Sequence, residues 1–245
     1  MSEPSTAAQP AELRYPVPWD LVLGLGPHIR RGTITSVDAF SAAIVSRIRP
    51  EPRLTGLERL PDNPRFVLAA NHYQRKGLWI LHTGAVLTQA IRKRYGPGDP
   101  PVRWLVTANW PPVRIGRWKF PSPGDWLLPR VAHTLACYPV SFTGTKPAFT
   151  ARSLRAIFRD APSMDRPLGI FPEGAPGQAG NLNPPLPGVS RLLARLAAGG
   201  LPVVPAGISE DGGFVIRFGE PISTEVIRKA PDAAVLVMER IAGLV

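Results

Sequence analysis

The chain has 245 residues, of which 44% are hydrophobic and 19% charged, a balance that supports a buried core and excludes wholesale disorder. The 29 Lys and Arg residues against 18 Asp and Glu give a formal net charge of +11, which predicts an anionic partner. A single cysteine, Cys137, excludes an internal disulfide framework and a cysteine-rich metal site, and it fits a reducing compartment.

The first fifty residues are predicted to form a disordered tail (1–15) and a helical segment (16–50). The tail lacks the basic-then-apolar order of a signal peptide. Within the helical segment, residues 36–48 have apolar residues at helical spacing, and Ser36 is suited to cap the helix. The remainder, 51–245, is predicted to be one domain, because no convincing linker divides it.

Short apolar runs alternate with helical patterns through this domain. Strands are predicted at 65–70, 102–106, 138–142, 167–171, 203–208 and 213–218, and helices at 78–91, 127–135, 148–158, 189–198 and 233–242. This alternation predicts a single-domain α/β fold with a largely parallel mixed sheet flanked by helices. The longest uncharged helix-like run, 77–91, has 15 residues and is too short to span a bilayer, which takes about 20. Membrane contact is therefore predicted to be peripheral.

The basic charge is concentrated between residues 92 and 119, where seven Lys and Arg residues face Asp99 alone. Four tryptophans lie in or just after this stretch: Trp104, Trp110, Trp118 and Trp126. Tryptophan favours the lipid–water boundary, and basic residues are attracted to anionic headgroups. The same mixture also suits single-stranded nucleic acid, or simply buried tryptophans beside a solvated basic face. Composition alone leaves these three alternatives open.

Two polar clusters follow apolar strands, where active residues of parallel sheets tend to lie. Asn71-His72 comes directly after the strand at 65–70, and Glu173 follows the strand at 167–171. A histidine at such a corner is suited to act as a general base near neutral pH, and it can equally be a structural, hydrogen-bonded residue. A lone glutamate at a strand end is more simply explained by solvation.

Six segments between residues 53 and 222 resemble, in order, blocks of the glycerolipid acyltransferase family that includes the lysophosphatidic acid (1-acylglycerol-3-phosphate) acyltransferases. Asn71-His72 resembles the start of the block N-H-x-x-x-x-D, and the segment 171–174 (FPEG) matches the F-P-E-G block. The other similar segments lie at 54–61, 186–189, 203–208 and 217–222.

The resemblance implies acyl transfer from acyl-CoA or acyl carrier protein to a hydroxyl of a glycerophospholipid-type or related acceptor. The predicted catalytic residues are His72, as general base, and Glu173. The predicted substrate-binding residues are Asn71, Arg75, Lys76, Phe171, Pro172 and Gly174. The expected partners are the acyl donor, the acceptor and an anionic membrane surface, and no nucleic acid. The predicted location is cytoplasmic and peripheral, on the inner face of the membrane.

No cofactor or metal is predicted beyond the acyl donor as co-substrate. The histidines other than His72, namely His28, His82 and His133, are scattered and lack a ligand partner at metal-site spacing.

The chain departs from the family pattern where the aspartate is expected, because the residue five positions after His72 is Gly77. Loss of the carboxylate from a His-carboxylate pair lowers the rate about 10⁴-fold in serine hydrolases. One hypothesis is an active acyltransferase in which another carboxylate, Glu173 or one from residues 99–125, reaches His72, or in which His72 works unaided. The alternative is a non-catalytic relative that binds lipid or acyl-CoA.

Overall fold

A seven-stranded sheet runs through the centre of the protein, in the strand order β1-β9-β8-β2-β7-β3-β6. The computed structural model describes residues 14–75, 77–107, 113–120, 122, 124–141, 147–177 and 181–245. The sheet strands are β1 (Arg53–Thr55), β2 (Val67–Ala70), β3 (Arg103–Thr107), β6 (Tyr138–Val140), β7 (Leu168–Ile170), β8 (Val203–Glu210) and β9 (Phe214–Phe218), and a separate hairpin is formed by β4 (Val113–Ile115) and β5 (Trp118–Phe120).

Helices cover the sheet on both faces and form the N-terminal segment. They are α1 (Trp19–Gly24), α2 (Gly26–Arg31), α3 (Val37–Val45), α4 (Ile80–Tyr95), α5 (Gly124–Thr134), α6 (Pro147–Asp160), α7 (Val189–Ala198), α8 (Thr224–Lys229) and α9 (Ala233–Ala242). The prediction of a single-domain α/β fold with a largely parallel sheet is confirmed: β8 and β9 pair antiparallel, and β2 pairs parallel with both β7 and β8.

The central strands are buried on both faces, which explains their continuous apolar sequences. Side chains of β2 alternate between two cores: Val67 belongs to the core that includes α7 and α9, and Leu68 to the core that includes α4. All four residues of β2 are fully buried. Burial on both faces specifies the register of this strand, because a one-residue slip would exchange the two sets of side chains.

The predicted helix at 36–48 is confirmed as α3, and its cap is as expected, since the Ser36 hydroxyl accepts the Ala39 N–H at 3.2 Å. Asp99 supports the same helix end by accepting the Val37 N–H at 2.8 Å. The elements that the sequence patterns did not resolve individually are short: α1, α2, β1, the β4–β5 hairpin and α8. Segments of three to six residues are too short for periodicity to be visible.

Because β2, β3, β7 and β8 run parallel, their carboxyl ends meet at one edge of the sheet. The segments that follow β2 and β7 therefore carry the two predicted polar clusters to the same place. Among the described residues, none of the helices has both the length and the apolar character needed to cross a membrane.

Candidate active site

Asn71 fastens the end of β2 to its neighbour β8. Its side-chain amide donates to the Ile208 carbonyl at 3.0 Å and accepts the Ile208 N–H at 2.7 Å. The side chain is almost fully buried, so both bonds form out of contact with water. Asn71 was predicted to bind substrate. The structure shows it bracketing one peptide unit of β8, and a substrate contact stays a prediction.

Glu173 joins the two predicted clusters through the backbone of His72. Its Oε1 accepts the His72 N–H at 2.7 Å, and its Oε2 accepts the Asn183 N–H at 2.6 Å. The residue is 3% exposed, so burial raises the pKa of its carboxyl group, and the two N–H donors partly oppose that rise. Glu173 therefore connects the segment after β2, the segment after β7 and the loop at 183.

The His72 imidazole has a different environment from its backbone. Its Nδ1 is buried and has no hydrogen-bond partner among the described residues. The ring packs edge-on against Phe171, with centroids 5.4 Å apart, and Phe171 in turn stacks on Trp104 at 5.0 Å. The hypothesis that Glu173 orients the imidazole is wrong, because its two oxygens hold backbone N–H groups instead.

Burial lowers the pKa of His72 below its ordinary value, and a backbone hydrogen bond partly opposes that shift. The folded protein thus binds fewer protons at His72 than the unfolded chain, so this group's stabilising contribution is present above pH ~6.5 and is lost as pH falls towards the folded pKa. We expect wild-type protein to lose more stability between pH 7.5 and 5 than His72→Gln, as measured by urea unfolding. Equal losses in the two proteins would contradict the prediction. The comparison cancels Glu173, whose raised pKa gives the opposite slope above pH ~4.5.

Gly77 occupies the position where the family pattern has its aspartate, and its backbone is left-handed, with φ of +87°. A Cβ built there meets nothing within 4 Å. The alternative donors of a carboxylate are also accounted for in part: Asp99 serves the N-terminus of α3. Within the described ranges, no carboxylate takes the place of the missing aspartate at His72 Nδ1.

Replacing Gly77 by alanine is expected to lower the free energy of unfolding by about 1–2 kcal/mol, the cost of a left-handed conformation without steric conflict. Gly174→Ala is expected to cost more, because Gly174 is also left-handed (φ +63°) and an added Cβ would lie 2.0 Å from Leu186 Cδ1. Urea denaturation of both variants checks the order. A Gly77 variant less stable than the Gly174 variant would refute it.

Arg75 is engaged by the protein itself. Its Nε lies 2.7 and 2.6 Å from the two oxygens of Glu210, the last residue of β8, and its guanidinium sits 5.1 Å above the ring of Tyr15. A guanidinium held in this way is not a ready ligand for a substrate phosphate, and we correct the prediction for Arg75 accordingly. Lys76, the other predicted phosphate ligand, lies outside the described residues.

Glu210 is the residue near the site that sequence reasoning missed. Its carboxylate accepts the Tyr15 hydroxyl at 2.6 Å and the Tyr73 hydroxyl at 3.4 Å, in addition to binding Arg75. The available signal was its position, since it ends a strand parallel to β2 and therefore reaches the same edge of the sheet. Nothing in the local sequence distinguishes it from a solvated glutamate.

The loops around His72 enclose a narrow cavity of about 10 Å³, roughly the space of one water molecule. Its walls are formed by Asn71, His72, Tyr73, Gln74, Glu173, Gly177, Asn181, Leu182 and Val245. A hydroxyl group fits this space, whereas an acyl chain must lie outside it or open it. In the part of the chain that the structure describes, no group of three or more His, Cys, Asp or Glu side chains is placed to hold a metal ion.

The predicted basic, tryptophan-rich surface at 92–119 is wrong where it is described. Trp104 is 6% exposed and packs under Phe171. Arg92 pairs with Asp38 at 2.5 Å and Arg94 with Asp62 at 3.0 Å. Alternation along β3 and the helical turns of α4 send these residues in different directions. Trp110 and the side chains of Arg114, Trp118 and Lys119 lie outside the described residues.

Exposed tryptophans lie elsewhere, on α1 and α5. Trp19 and Leu23 on α1 are 57% and 74% exposed, and Trp126 and Leu127 on α5 are 59% and 39% exposed. Helix α2, which contacts both α1 and α5, carries basic residues in its last turn. Arg130 lies 4.3 Å above the ring of Trp126.

Comparison with known proteins supports the fold and leaves the finer assignment open. Neither any protein-family model nor any curated protein sequence matches the chain. Among solved structures, the chain is similar to the 1-acyl-sn-glycerophosphate (LPA) acyltransferase PlsC from Thermotoga maritima, with a TM-score of 0.54 and 14% sequence identity. The match covers 91% of this chain and 87% of that one. The protein therefore has an acyltransferase-like fold, distantly related in sequence to the PlsC structure.

Proposed function

We propose that the protein transfers an acyl group from a thioester donor, acyl-CoA or acyl carrier protein, to a hydroxyl group of a glycerophospholipid-type or related acceptor. One observation carries the proposal: Glu173 of the F-P-E-G segment accepts the His72 N–H at 2.7 Å, across 101 residues of chain. The two motifs of the resemblance thus form one site, at the carboxyl edge of an acyltransferase-like sheet.

In this proposal His72 is the general base. Its lowered pKa keeps the imidazole neutral near pH 7, so a nitrogen lone pair is available to take the proton of the acceptor hydroxyl. The hydroxyl oxygen attacks the thioester carbonyl, a new C–O bond forms, and the C–S bond breaks. The leaving thiolate takes the proton back from the imidazolium, which restores neutral His72.

We further propose that the protein works peripherally on an anionic membrane, through the face that carries Trp19, Leu23, Trp126 and Leu127. Exposed tryptophan and leucine beside basic residues suit the headgroup region of a bilayer. Trp19 also packs against Trp79, with ring centroids 5.2 Å apart, and Trp79 directly precedes α4. The face thereby adjoins the segment that follows His72, where a lipid acceptor is needed.

Replacing Trp19 and Trp126 together by serine is expected to weaken binding to anionic phospholipid vesicles by roughly tenfold or more, because each buried indole contributes on the order of 1.5–3 kcal/mol. Vesicle co-sedimentation measures the effect. The control replaces two exposed valines elsewhere, Val226 on α8 and Val235 on α9, and is expected to bind like wild type. Equal binding by both double variants would contradict the proposed face.

The second candidate function is non-catalytic binding of lipid or acyl-CoA in the same pocket. The observation in its favour is the unpartnered Nδ1 of His72, together with Gly77 at the family's aspartate position. A histidine without a carboxylate partner loses both orientation of its ring and stabilisation of its protonated form.

An acyl-CoA assay separates the two candidates. Purified protein is incubated with anionic vesicles, acyl-CoA of several chain lengths and a panel of acceptors that includes lysophospholipids and glycerol phosphate, and free thiol is measured over time. The acyltransferase proposal expects many turnovers per protein molecule with at least one acceptor. Acyl-CoA binding at a fixed stoichiometry, without thiol release above the vesicle-only background, would overturn it and favour the binding protein.

A further inference from the structure

The His72 segment is attached to β8 on both sides. Before the histidine, the Asn71 amide bonds to the backbone of Ile208. After it, Tyr73 and Arg75 both reach Glu210, two residues further along the same strand. The side chains of Glu210 and Arg75 are 13% and 34% exposed, so this ion pair is shielded from water far more than a surface pair.

The position of this attachment matters because His72 lacks the usual one. In a His-carboxylate pair, the carboxylate orients the ring by accepting a hydrogen bond from Nδ1. Here Nδ1 has no partner among the described residues, so the orientation of the ring depends on how firmly the His72 backbone and its neighbours are held. Glu173 holds the His72 N–H itself.

We infer that Glu210 is a positioning residue, which holds His72 in its reactive place by binding Arg75 and Tyr73 in the segment that follows it. The inference rests on the proposed acyl transfer. It divides the task of the absent aspartate between two carboxylates, both of which act on the main chain or its neighbours instead of on the imidazole. Tyr15 extends the same network to the N-terminal segment, because its hydroxyl also donates to Glu210.

Glutamate is the side chain that this network requires. Glu210 accepts from one guanidinium and two hydroxyl groups, and its negative charge strengthens each bond. A glutamine at this position keeps the size but loses the charge, and its NH₂ group turns one acceptor into a donor. Glu210→Gln therefore releases Arg75 and Tyr73 without opening a cavity.

The test combines steady-state kinetics with hydrogen–deuterium exchange. A misplacement of 1 Å far from the chemistry can cost about 10²-fold in rate, so Glu210→Gln is expected to lower kcat by roughly 10- to 100-fold while the acceptor KM stays within about twofold. Deuterium uptake of the peptide spanning 71–79 rises, and that of β2 is unchanged. The matched control is Glu225→Gln, which breaks the exposed i,i+4 pair with Lys229 and is expected to alter neither measurement.

A double-mutant cycle distinguishes positioning from substrate binding. If Glu210 acts through Arg75, Arg75→Gln lowers kcat by a similar factor, and the double variant Arg75→Gln/Glu210→Gln is little worse than either single one. If Arg75 instead binds an acceptor phosphate, Arg75→Gln raises the acceptor KM and Glu210→Gln does not. That second pattern overturns the inference.

Two further results would also overturn it: an unchanged kcat in Glu210→Gln, or unchanged deuterium uptake over 71–79. Failure of the proposed function has a different signature. If the wild-type protein turns over no acceptor, acyl transfer is refuted, and deuterium uptake alone decides whether Glu210 holds the His72 segment.

Discussion

Replacement of His72 by alanine is expected to lower acyl transfer at least 10²-fold, because a positioned general base contributes about 10²–10⁴-fold. The loss should appear in kcat, since the proton is removed only as the transition state forms. Thiol release from acyl-CoA, measured at saturating acceptor, checks the result. The Glu173 carboxylate bonds to the backbone N–H of residue 72, so the alanine variant retains that hydrogen bond and should fold.

Two comparisons make the His72 result specific. His133→Ala removes an exposed histidine of α5, whose Nε2 lies 3.1 Å from the Gly32 carbonyl, and it is expected to turn over at the wild-type rate. Binding of acyl-CoA by His72→Ala, measured by calorimetry, should remain within a few-fold of wild type. An active wild-type enzyme whose rate is unchanged in His72→Ala would exclude His72 as the base.

Replacement of Glu173 by glutamine is expected to destabilise the fold by about 2–4 kcal/mol, although the two side chains have nearly the same shape. Both oxygens of Glu173 accept backbone N–H groups, from His72 at 2.7 Å and from Asn183 at 2.6 Å. Glutamine has only one acceptor oxygen, so its NH₂ group must face one of these donors. A buried N–H without a partner costs about 1–3 kcal/mol, and bonds to a charged group are the stronger ones.

The unfolding free energy in urea measures the effect of Glu173→Gln, and Glu220→Gln is the matched control. Glu220 pairs with Arg59 at 3.3 Å, and its side chain is 77% exposed, so its replacement should change stability little. Glu173→Gln should also lower turnover, because the His72 backbone loses its carboxylate. A Glu173→Gln protein as stable as the Glu220 variant would show that the paired N–H bonds contribute little.

The separation of roles between the two predicted catalytic residues has a chemical consequence. Glu173 was grouped with His72 because both follow apolar strands and match family blocks. The structure assigns Glu173 to the backbone, where its charge is consumed by two N–H groups, and leaves the imidazole of His72 to the pocket. Any acid–base chemistry at this site is therefore proposed for the histidine alone.

Local patterns were sufficient for most of the architecture. Continuous apolar runs specified β2 and β7, and helical spacing specified α4 and α7, because strands and helices buried in a core repeat their apolar residues with a fixed period. The alternation of these elements determined the α/β class. The positions of His72 and Glu173 at strand ends followed from the same reasoning, since parallel strands end at one edge.

Tertiary structure alone decided what those residues contact. The +11 charge and the tryptophans of the sequence predicted a basic surface at 92–119, but Trp104 lies in the core and Arg92 and Arg94 form ion pairs. The anionic partner inferred from composition is now proposed at α1 and α5. Likewise Glu210 reaches Arg75 across 135 residues. Such contacts depend on which strands are neighbours and how their side chains alternate, and no short window of sequence contains that information.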